Sequence, residues 1–257
     1  MATHGNRDTP RVAAVASGIA ELLPDPARPQ GWTLLIDGVP QSYVDLADPQ
    51  HLAFSYVRQI ARAVRAHGVP ERVLHLGGGA LTVPRLLARW WPGVAQKVVE
   101  LDPQLVALVL RELPPAQPVE IQVGDAREAL ETEEPHRYDV IVTDVFAGAA
   151  MPGSIASAGF AAAARRALRP DGLLVMNLTD VPPLASTRIQ AATARSVFAD
   201  VALLADSGVL RGRRAGNVVL LAGAVPEVRP LRDERLLRGG ELVVFSGGAR
   251  PRLDGFA

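Results

Sequence analysis

Short apolar runs alternate with amphipathic segments from residue 72 onward. Residues 72–76 form one apolar run, glycines follow it, residues 81–90 form an amphipathic segment, and a second apolar run ends on Glu100. Such runs are typical of buried strands, and apolar positions three and four residues apart are typical of helices. The alternation continues to about residue 225. It predicts an α/β fold with a doubly wound, mostly parallel, Rossmann-like sheet, for which we expect seven strands.

The chain on either side of this region has a different pattern. Before it, apolar and polar positions alternate between turn residues, which predicts three strands in a small antiparallel β-hairpin unit. After it, the chain is rich in proline and glycine, and the pattern indicates a helix at residues 232–237 and a strand at residues 242–245. We therefore expect a disordered tail, a β-hairpin unit, a Rossmann-like catalytic domain and a C-terminal extension, at residues 1–11, 12–47, 48–225 and 226–257.

Composition narrows the possible partners. The 27 basic residues balance 27 acidic residues, so no charge excess indicates nucleic acid, and a small molecule is the expected ligand. The chain has no cysteine and its five histidines are scattered, which argues against a metal site. No apolar run approaches the roughly 18 residues that cross a bilayer, and residues 12–20 are too short and interrupted for a signal peptide. We expect a cytoplasmic protein without a membrane partner.

A glycine loop, Gly77, Gly78 and Gly79, follows the first strand of the α/β region. Glycines allow a tight turn and let a ligand lie against bare backbone, close to the positive end of the following helix. Glu100 lies about 20 residues further on, a spacing that suits hydrogen bonds from ribose hydroxyls. Thr82 replaces the third glycine of the dinucleotide-binding fingerprint, so an ordinary strand-to-helix turn is an open alternative. The loop and Glu100 together predict a nucleoside site.

Acidic residues also follow the next strands, at the sheet edge where ligands of open parallel sheets bind. Asp125 follows the third predicted strand and Asp144 the fourth. A nicotinamide-binding domain explains the glycines and Glu100, but it gives no reason for these two carboxylates. A site for an adenosyl sulfonium does. Glu100 would bind the ribose, Asp125 the adenine amino group, and Asp144 the positive sulfur or the incoming nucleophile.

Three acidic residues have structural alternatives. Asp125 precedes a predicted helix that starts at Ala126, and Asp102 precedes Pro103 at the start of another helix, so each is also a candidate helix cap. Asp180 follows the fifth strand and is a candidate substrate ligand, with a structural role as an equal alternative.

Several segments of the chain resemble the spermidine synthase family of aminopropyltransferases, whose members have a class I methyltransferase-type fold. The matching segments are residues 35–41, 54–56, 73–79, 100–102, 124–126 and 138–144. The resemblance implies that Gln41 and Tyr56 shape the amine pocket and that Asp144, together with Tyr56, is catalytic. It also implies a set of residues that bind the S-adenosyl compound: Gly77, Gly78, Gly79, Glu100, Asp102, Asp125 and Ala126.

Three positions depart from the family pattern. Ala80 and Ala147 stand where the family has acids, and Val57 replaces a polar residue after the pocket tyrosine. In the family these side chains hold the cationic aminopropyl group and the polyamine. Since an unpaired buried ammonium costs several kcal/mol, a di- or triamine would bind poorly in such a degenerate pocket.

We therefore expect a transferase of polyamine biosynthesis that moves an aminopropyl group to a small amine acceptor. Its co-substrate would be decarboxylated S-adenosylmethionine or S-adenosylmethionine, and residues 145–157 would form a lid. A methyltransferase is the nearest alternative, because the missing acid at Ala80 makes room for a methionine carboxylate. A non-catalytic nucleoside-binding or scaffold protein is a further alternative. Family members are commonly dimers or tetramers, so we expect a homodimer or homotetramer.

Overall fold

A four-stranded antiparallel sheet forms the N-terminal part of the computed structural model, which describes residues 9–145 and 151–255. Its strands are β1 (Arg11–Val15), β2 (Gly18–Asp25), β3 (Arg28–Ile36) and β4 (Val39–Asp45), and each pairs with the next. The predicted small antiparallel unit is confirmed, but β1 was not predicted. This strand is short and alanine-rich, and its Ala13 and Val15 are fixed by packing against a distant apolar cluster. Most of the expected tail, residues 1–11, lies outside the described residues.

The second sheet has eight strands. They are β5 (Arg72–Leu76), β6 (Ala95–Glu100), β7 (Glu120–Val123), β8 (Tyr138–Thr143), β9 (Leu168–Asp180), β10 (Val201–Asp206), β11 (Gly216–Gly223) and β12 (Glu234–Arg238). Their order across the sheet is β12-β10-β11-β9-β8-β5-β6-β7. Pairs from β9 to β7 are parallel, and those from β9 to β12 are antiparallel. The predicted doubly wound, mostly parallel α/β sheet is confirmed, and β12 adds an edge strand to the seven expected.

Helices cover both faces of this sheet. They are α1 (Ser55–His67), α2 (Thr82–Trp90), α3 (Pro103–Glu112), α4 (Ala126–Thr132), α5 (Ala158–Ala167), α6 (Ala185–Arg195), α7 (Ser207–Leu210) and α8 (Gly240–Ser246). Val73 and Leu74 of β5 point to opposite faces, Val73 into the cluster with α1 and α2, and Leu74 into the cluster with α4, α5 and α6. Burial on both faces explains the continuous apolar runs of the parallel strands. Within the described ranges, no helix combines the length and apolarity needed to cross a membrane.

The strand order reverses at the centre of the sheet. From β5 the chain continues to β6 and β7 on one side, and it later returns to β8 and β9 on the other side. Ligands of open α/β sheets bind at such a reversal, outside the carboxyl ends of the strands. Gly77 follows β5 and its amide donates to the carbonyl of Val99 (2.9 Å), while the amide of Asp144, after β8, donates to the carbonyl of Leu76 (2.8 Å). The glycine loop and Asp144 therefore leave adjacent strands at the reversal.

The C-terminal extension folds differently from its sequence pattern. Residues expected as a helix form β12, and residues expected as a strand form α8. β12 is held by pairing with β10, where Leu236 lies opposite Leu204. In α8, Leu242 and Ser246 are buried four residues apart, while Val244 is exposed. Pairing with a distant edge strand and packing of a helix face thus override the strand preference of the valines.

Candidate active site

The glycine loop adopts backbone conformations that only glycine accepts easily. Gly77 has φ of 92° and Gly79 has φ of 47°. A Cβ atom on Gly77 would lie 2.1 Å from the carbonyl oxygen of Asp144, and one on Gly79 would lie 2.5 Å from Oγ of Ser42. The loop is therefore wedged between the end of β8 and the N-terminal sheet. It leaves no space for side chains at these two positions.

Glu100 lies directly against the glycine loop. Its Oε2 accepts hydrogen bonds from the amides of Gly78 (2.8 Å) and Gly79 (3.3 Å), and its Oε1 accepts one from the amide of Asp102 (3.1 Å). The structure thus brings together the two parts of the predicted nucleoside site, which are about 20 residues apart along the chain.

A small cavity extends from the glycine loop toward α3. It has about 210 Å³ of empty space, part of which is open to solvent. Glu100 and the glycine loop form one wall, and the rest is apolar, from Leu81, Val98, Val106, Val109, Leu110 and Ile121. Ligand sites generally combine an apolar lining with a few convergent polar groups. The cavity therefore combines an apolar lining with one polar wall, as ligand sites generally do.

Asp102 is a helix cap in this structure. Its Oδ1 accepts from the amides of Gln104 (3.0 Å) and Leu105 (2.9 Å), and its Oδ2 accepts from the amide (2.8 Å) and hydroxyl (2.7 Å) of Ser17. Burial alone would raise the pKa of Asp102, but the hydrogen bonds from Leu105 and Ser17 outweigh it and lower that pKa. Asp102 is buried and already accepts four hydrogen bonds, which join α3 to the N-terminal sheet, so we leave it out of the proposed ribose contact.

Asp125 also caps a helix, but with only one of its oxygens. Oδ1 accepts from the amides of Arg127 (2.7 Å) and Glu128 (3.0 Å) at the start of α4. No hydrogen bond to Oδ2 is present in the described part of the chain. Ala126, the first residue of α4, is buried. The carboxylate can therefore cap α4 and still accept a hydrogen bond from a ligand.

Asp144 is held by two side chains from neighbouring elements. Its Oδ2 accepts from the hydroxyl of Tyr56 on α1 (3.3 Å), and its Oδ1 accepts from Nδ2 of Asn177 on β9 (2.8 Å). Desolvation raises the pKa of Asp144, and the hydrogen bonds from Asn177 and Tyr56 oppose this rise. Burial and the nearby carboxylate raise the pKa of Tyr56, so its hydroxyl stays a donor. A half-buried carboxylate with raised pKa is a suitable proton acceptor.

Asn177 is hydrogen-bonded to a residue that the sequence did not single out, Asn217. Its Oδ1 accepts from Nδ2 of Asn217 on β11 (3.0 Å). Asn217 stands between Gly216 and an apolar run, with no acidic residue beside it, and only the antiparallel pairing of β11 with β9 brings it near Asn177. No local sequence pattern predicts the pairing of strands that lie so far apart in the chain.

The strand that carries Gln41 contacts the glycine loop through the adjacent residue, Ser42. Nε2 of Gln41 donates to the carbonyl of Val39 (3.4 Å) in its own hairpin. The adjacent Ser42 accepts from the amide of Ala80 through its Oγ (3.2 Å). The predicted hairpin therefore docks on the loop, while the Gln41 side chain stays half-exposed beside it.

Asp180 has a local structural role. Its Oδ2 accepts from the amide (2.7 Å) and hydroxyl (2.8 Å) of Thr187 on α6, and its Oδ1 accepts from the amide of Val181 (2.8 Å). With both oxygens occupied, the buried Asp180 fixes the connection from β9 to α6. We leave it out of the proposed substrate contacts.

The three departures from the family pattern have different surroundings. Ala80 is fully buried, and Val57 is buried in the apolar cluster of α1. Ala147 lies outside the described residues, as does part of the predicted lid at residues 145–157.

Comparison with known proteins gives a consistent picture. A family model described as the spermine/spermidine synthase domain matches residues 53–203. A polyamine aminopropyltransferase of Vibrio vulnificus is 30% identical over 159 residues, which cover 60% of this chain and 52% of that protein. An N-terminal histidine N-methyltransferase of Emericella nidulans is 30% identical over 162 residues, which cover 59% of this chain and 28% of that protein. The chain thus spans about half the length, or less, of these curated relatives.

A solved structure resembles the chain over nearly its whole length. It is a probable spermidine synthase from Corynebacterium glutamicum, which superposes with a TM-score of 0.90 at 32% identity. The superposition covers 97% of this chain and 98% of that one. The similarity therefore includes the N-terminal sheet and the C-terminal extension, and not only the segment that the family model matches.

Proposed function

Because the chain belongs to the spermine/spermidine synthase family, we propose that it transfers an aminopropyl group from decarboxylated S-adenosylmethionine to an amine acceptor. The observation that carries this proposal is the geometry of Asp144: its backbone carbonyl lies against the glycine loop, and its carboxylate accepts hydrogen bonds from Tyr56 and Asn177. A proton acceptor at this position is what an attacking amine requires.

The nucleoside part of the co-substrate fits the residues around the glycine loop. We propose that the ribose hydroxyls donate to Glu100, whose carboxylate already accepts from the amides of Gly78 and Gly79. The free oxygen of Asp125 would accept from the adenine amino group. The apolar cavity beside Glu100 would hold part of the nucleoside.

The reaction would be a direct displacement. The amine nitrogen forms a bond to the carbon attached to sulfur, the carbon–sulfur bond breaks, and its electron pair leaves with sulfur as a neutral thioether. Asp144 accepts the proton that the nitrogen loses, and the Tyr56 hydroxyl holds the carboxylate toward the amine. Most of the rate enhancement would come from alignment and dehydration of the two reactants.

The acceptor pocket favours a substrate with a single ammonium group. Ala80 and Ala147 carry no charge, and Val57 is buried in the core. The segment 145–157, the proposed lid, contains no charged residue. Asp144 is then the one carboxylate that we assign to the acceptor, and a second ammonium would be desolvated without a partner. We therefore propose an amine with an apolar or neutral body in preference to a diamine.

Methyl transfer from S-adenosylmethionine is the second candidate function. Ala80 favours it, because the small side chain beside the glycine loop leaves out a carboxylate that would repel the methionine carboxylate. The 30% identical histidine N-methyltransferase of Emericella nidulans supports the same candidate.

Calorimetric titration with three ligands tests these functions. Preferential binding of decarboxylated S-adenosylmethionine, together with turnover of an amine from a panel, supports aminopropyl transfer. Preference for S-adenosylmethionine supports methyl transfer instead. Binding of methylthioadenosine without turnover of any acceptor would indicate a non-catalytic nucleoside-binding protein.

Substitution of Asp125 separates its two roles. Asp125→Ser keeps a good helix cap, whereas Asp125→Ala removes it and should cost about 1 kcal/mol of unfolding free energy. If the carboxylate also binds adenine, both variants should bind methylthioadenosine roughly 5- to 10-fold more weakly, the loss of one hydrogen bond. Calorimetry and thermal denaturation give the two readouts. Unchanged affinity in the serine variant would mean that Asp125 only caps α4.

A further inference from the structure

A chain of side-chain amides runs from Asp144 across two strands of the sheet. Asn177 on β9 is only 1% exposed and joins Asp144 to Asn217 on β11. Asn217 lies opposite Thr179 in the antiparallel pair, and its Nδ2 is also 3.2 Å from Oγ1 of that residue. Asn177 and Asn217 are thus diagonal neighbours on one face of the sheet, close enough for direct hydrogen bonding.

The direction of this chain follows from the chemistry of the amide group. An asparagine side chain offers donors at Nδ2 and an acceptor at Oδ1. In the structure Nδ2 of Asn217 faces Asn177, and because an N–H group can only donate, it meets Oδ1 of Asn177. Nδ2 of Asn177 then faces Asp144, which has to accept there. The opposite orientation of Asn177 would present Oδ1 to Asp144 and would require a protonated carboxyl group.

We propose that Asn217 is a positioning residue that orients the Asn177 amide and thereby keeps Asp144 an acceptor. The inference rests on the proposed role of Asp144 as the proton acceptor. Asn217 does not touch the reacting atoms, and it acts through Asn177 alone. Its function is to favour the state of Asp144 that can take a proton from the amine.

The surroundings of Asp144 explain why its carboxylate needs an oriented hydrogen-bond donor. Burial raises the pKa of its carboxyl group, and the groups that oppose this are Asn177 and Tyr56. Tyr56 is the titratable group that faces it from α1. Asp180, on β9, is turned toward Thr187, and Arg214, before β11, pairs with Asp206 (3.1 Å). In the described ranges no cation contacts Asp144, so hydrogen bonds alone offset its desolvation.

Two substitutions at Asn217 separate orientation from packing. Asn217→Leu keeps the approximate size and removes the donor without adding charge, so Asn177 can reverse. Asn217→Ser keeps a hydroxyl that can donate to Asn177. Thr179→Val is the matched control, because it removes the other polar neighbour of Asn217 and leaves the bond to Asn177 in place. Asn217→Ala provides the same loss of donor if the leucine variant does not fold.

The first measurement is the titration of Asp144 itself, followed by the carboxyl carbon resonance in protein labelled at aspartate and assigned with Asp144→Asn. We expect Asn217→Leu to raise the pKa of Asp144 by about half a unit to one unit, the equivalent of one hydrogen bond. The serine and Thr179→Val variants should titrate close to the wild type. Identical titration in Asn217→Leu and wild type would overturn the proposal.

The second measurement is the pH dependence of turnover. Because the transfer needs ionised Asp144, a higher pKa moves the acidic limb of kcat/KM to higher pH. At a pH below that limb, kcat/KM of Asn217→Leu should fall by about 3- to 10-fold, and it should recover in alkaline solution. A loss that is equal at every pH would contradict the orienting role. If the wild type transfers no group while the titration still shifts, the proposed function fails and the role of Asn217 stands.

Discussion

Asp144→Asn should lower kcat for group transfer by about 100- to 10,000-fold, the range that a positioned general base contributes. Asparagine has nearly the same shape, and its Oδ1 can still accept from Asn177, but it cannot take a proton from the amine. Affinity for methylthioadenosine should stay within about twofold, because the nucleoside contacts are assigned to Glu100 and Asp125. Single-turnover kinetics and calorimetry give the two values.

The stability of the same variant supplies an independent check. The pKa of Asp144 is raised in the folded protein, so the native state holds this proton more tightly than the unfolded chain. The wild type therefore loses unfolding free energy as the pH rises from the unfolded value, about 3.9, through the raised folded value. Asparagine does not ionise, so the Asp144→Asn variant does not lose this unfolding free energy. It should be at least as stable as the wild type at neutral pH, with the difference shrinking in acid.

Tyr56→Phe is the matched control for this site. It removes the hydroxyl that holds Asp144 and leaves the carboxylate itself, so kcat should fall by no more than about tenfold.

A combined loss of nucleoside affinity and neutral-pH stability in Asp144→Asn would show that Asp144 is a structural residue and would contradict the assigned chemistry.

The centre of the fold was predictable because its determinants are local. The strand, glycine loop, helix and second strand from β5 to Glu100 follow one another within a short stretch of chain, and each has its own signal. Apolar runs mark β5 and β6, and Gly77 and Gly79 mark a backbone with positive φ. The order of these elements then fixes which strand ends meet at the reversal of the sheet.

Features that depend on distant partners were not predictable. Asp102 becomes a fully occupied cap because Ser17, from the turn after β1, supplies two donors. β12 forms because β10 presents an open edge to it, although the local pattern favoured a helix. Asn217 enters the site only through the pairing of β11 with β9. In each case the decisive contact joins segments that no local window contains.

The acidic residues at the strand ends lie between the local and the long-range features. Their positions are visible in the sequence, but their hydrogen-bond partners are not. The sequence marks carboxylates at the ends of the strands, but it does not say which of them the protein itself uses for internal hydrogen bonds. Asp102 and Asp180 are buried and use both oxygens internally, whereas Glu100 and Asp125 are half-buried. The burial of each carboxylate, which depends on the whole fold, separates the candidates for ligand binding from the purely structural acids.

Glu100→Gln should weaken the binding of methylthioadenosine by about 10- to 100-fold, the loss of charge-assisted hydrogen bonds to the ribose. Glu100 accepts three backbone amides in the structure, so a glutamine would turn an N–H group toward either the glycine loop or Asp102. It would also offer the ribose hydroxyls one acceptor oxygen in place of two. At saturating co-substrate, kcat should change far less than in Asp144→Asn.

Glu120→Gln is the control for the loss of charge in Glu100→Gln. Glu120 is exposed at the opposite end of β7, the strand next to β6, so the same chemical change there should leave nucleoside affinity unchanged. Calorimetry on both variants, with thermal denaturation to confirm folding, isolates the contribution of Glu100. Full affinity in a folded Glu100→Gln protein would mean that the ribose lies elsewhere, and the glycine loop would then be an ordinary strand-to-helix turn. Lost affinity with retained kcat would instead separate nucleoside binding at Glu100 from proton transfer at Asp144, two roles that we assign to the strands on either side of β5.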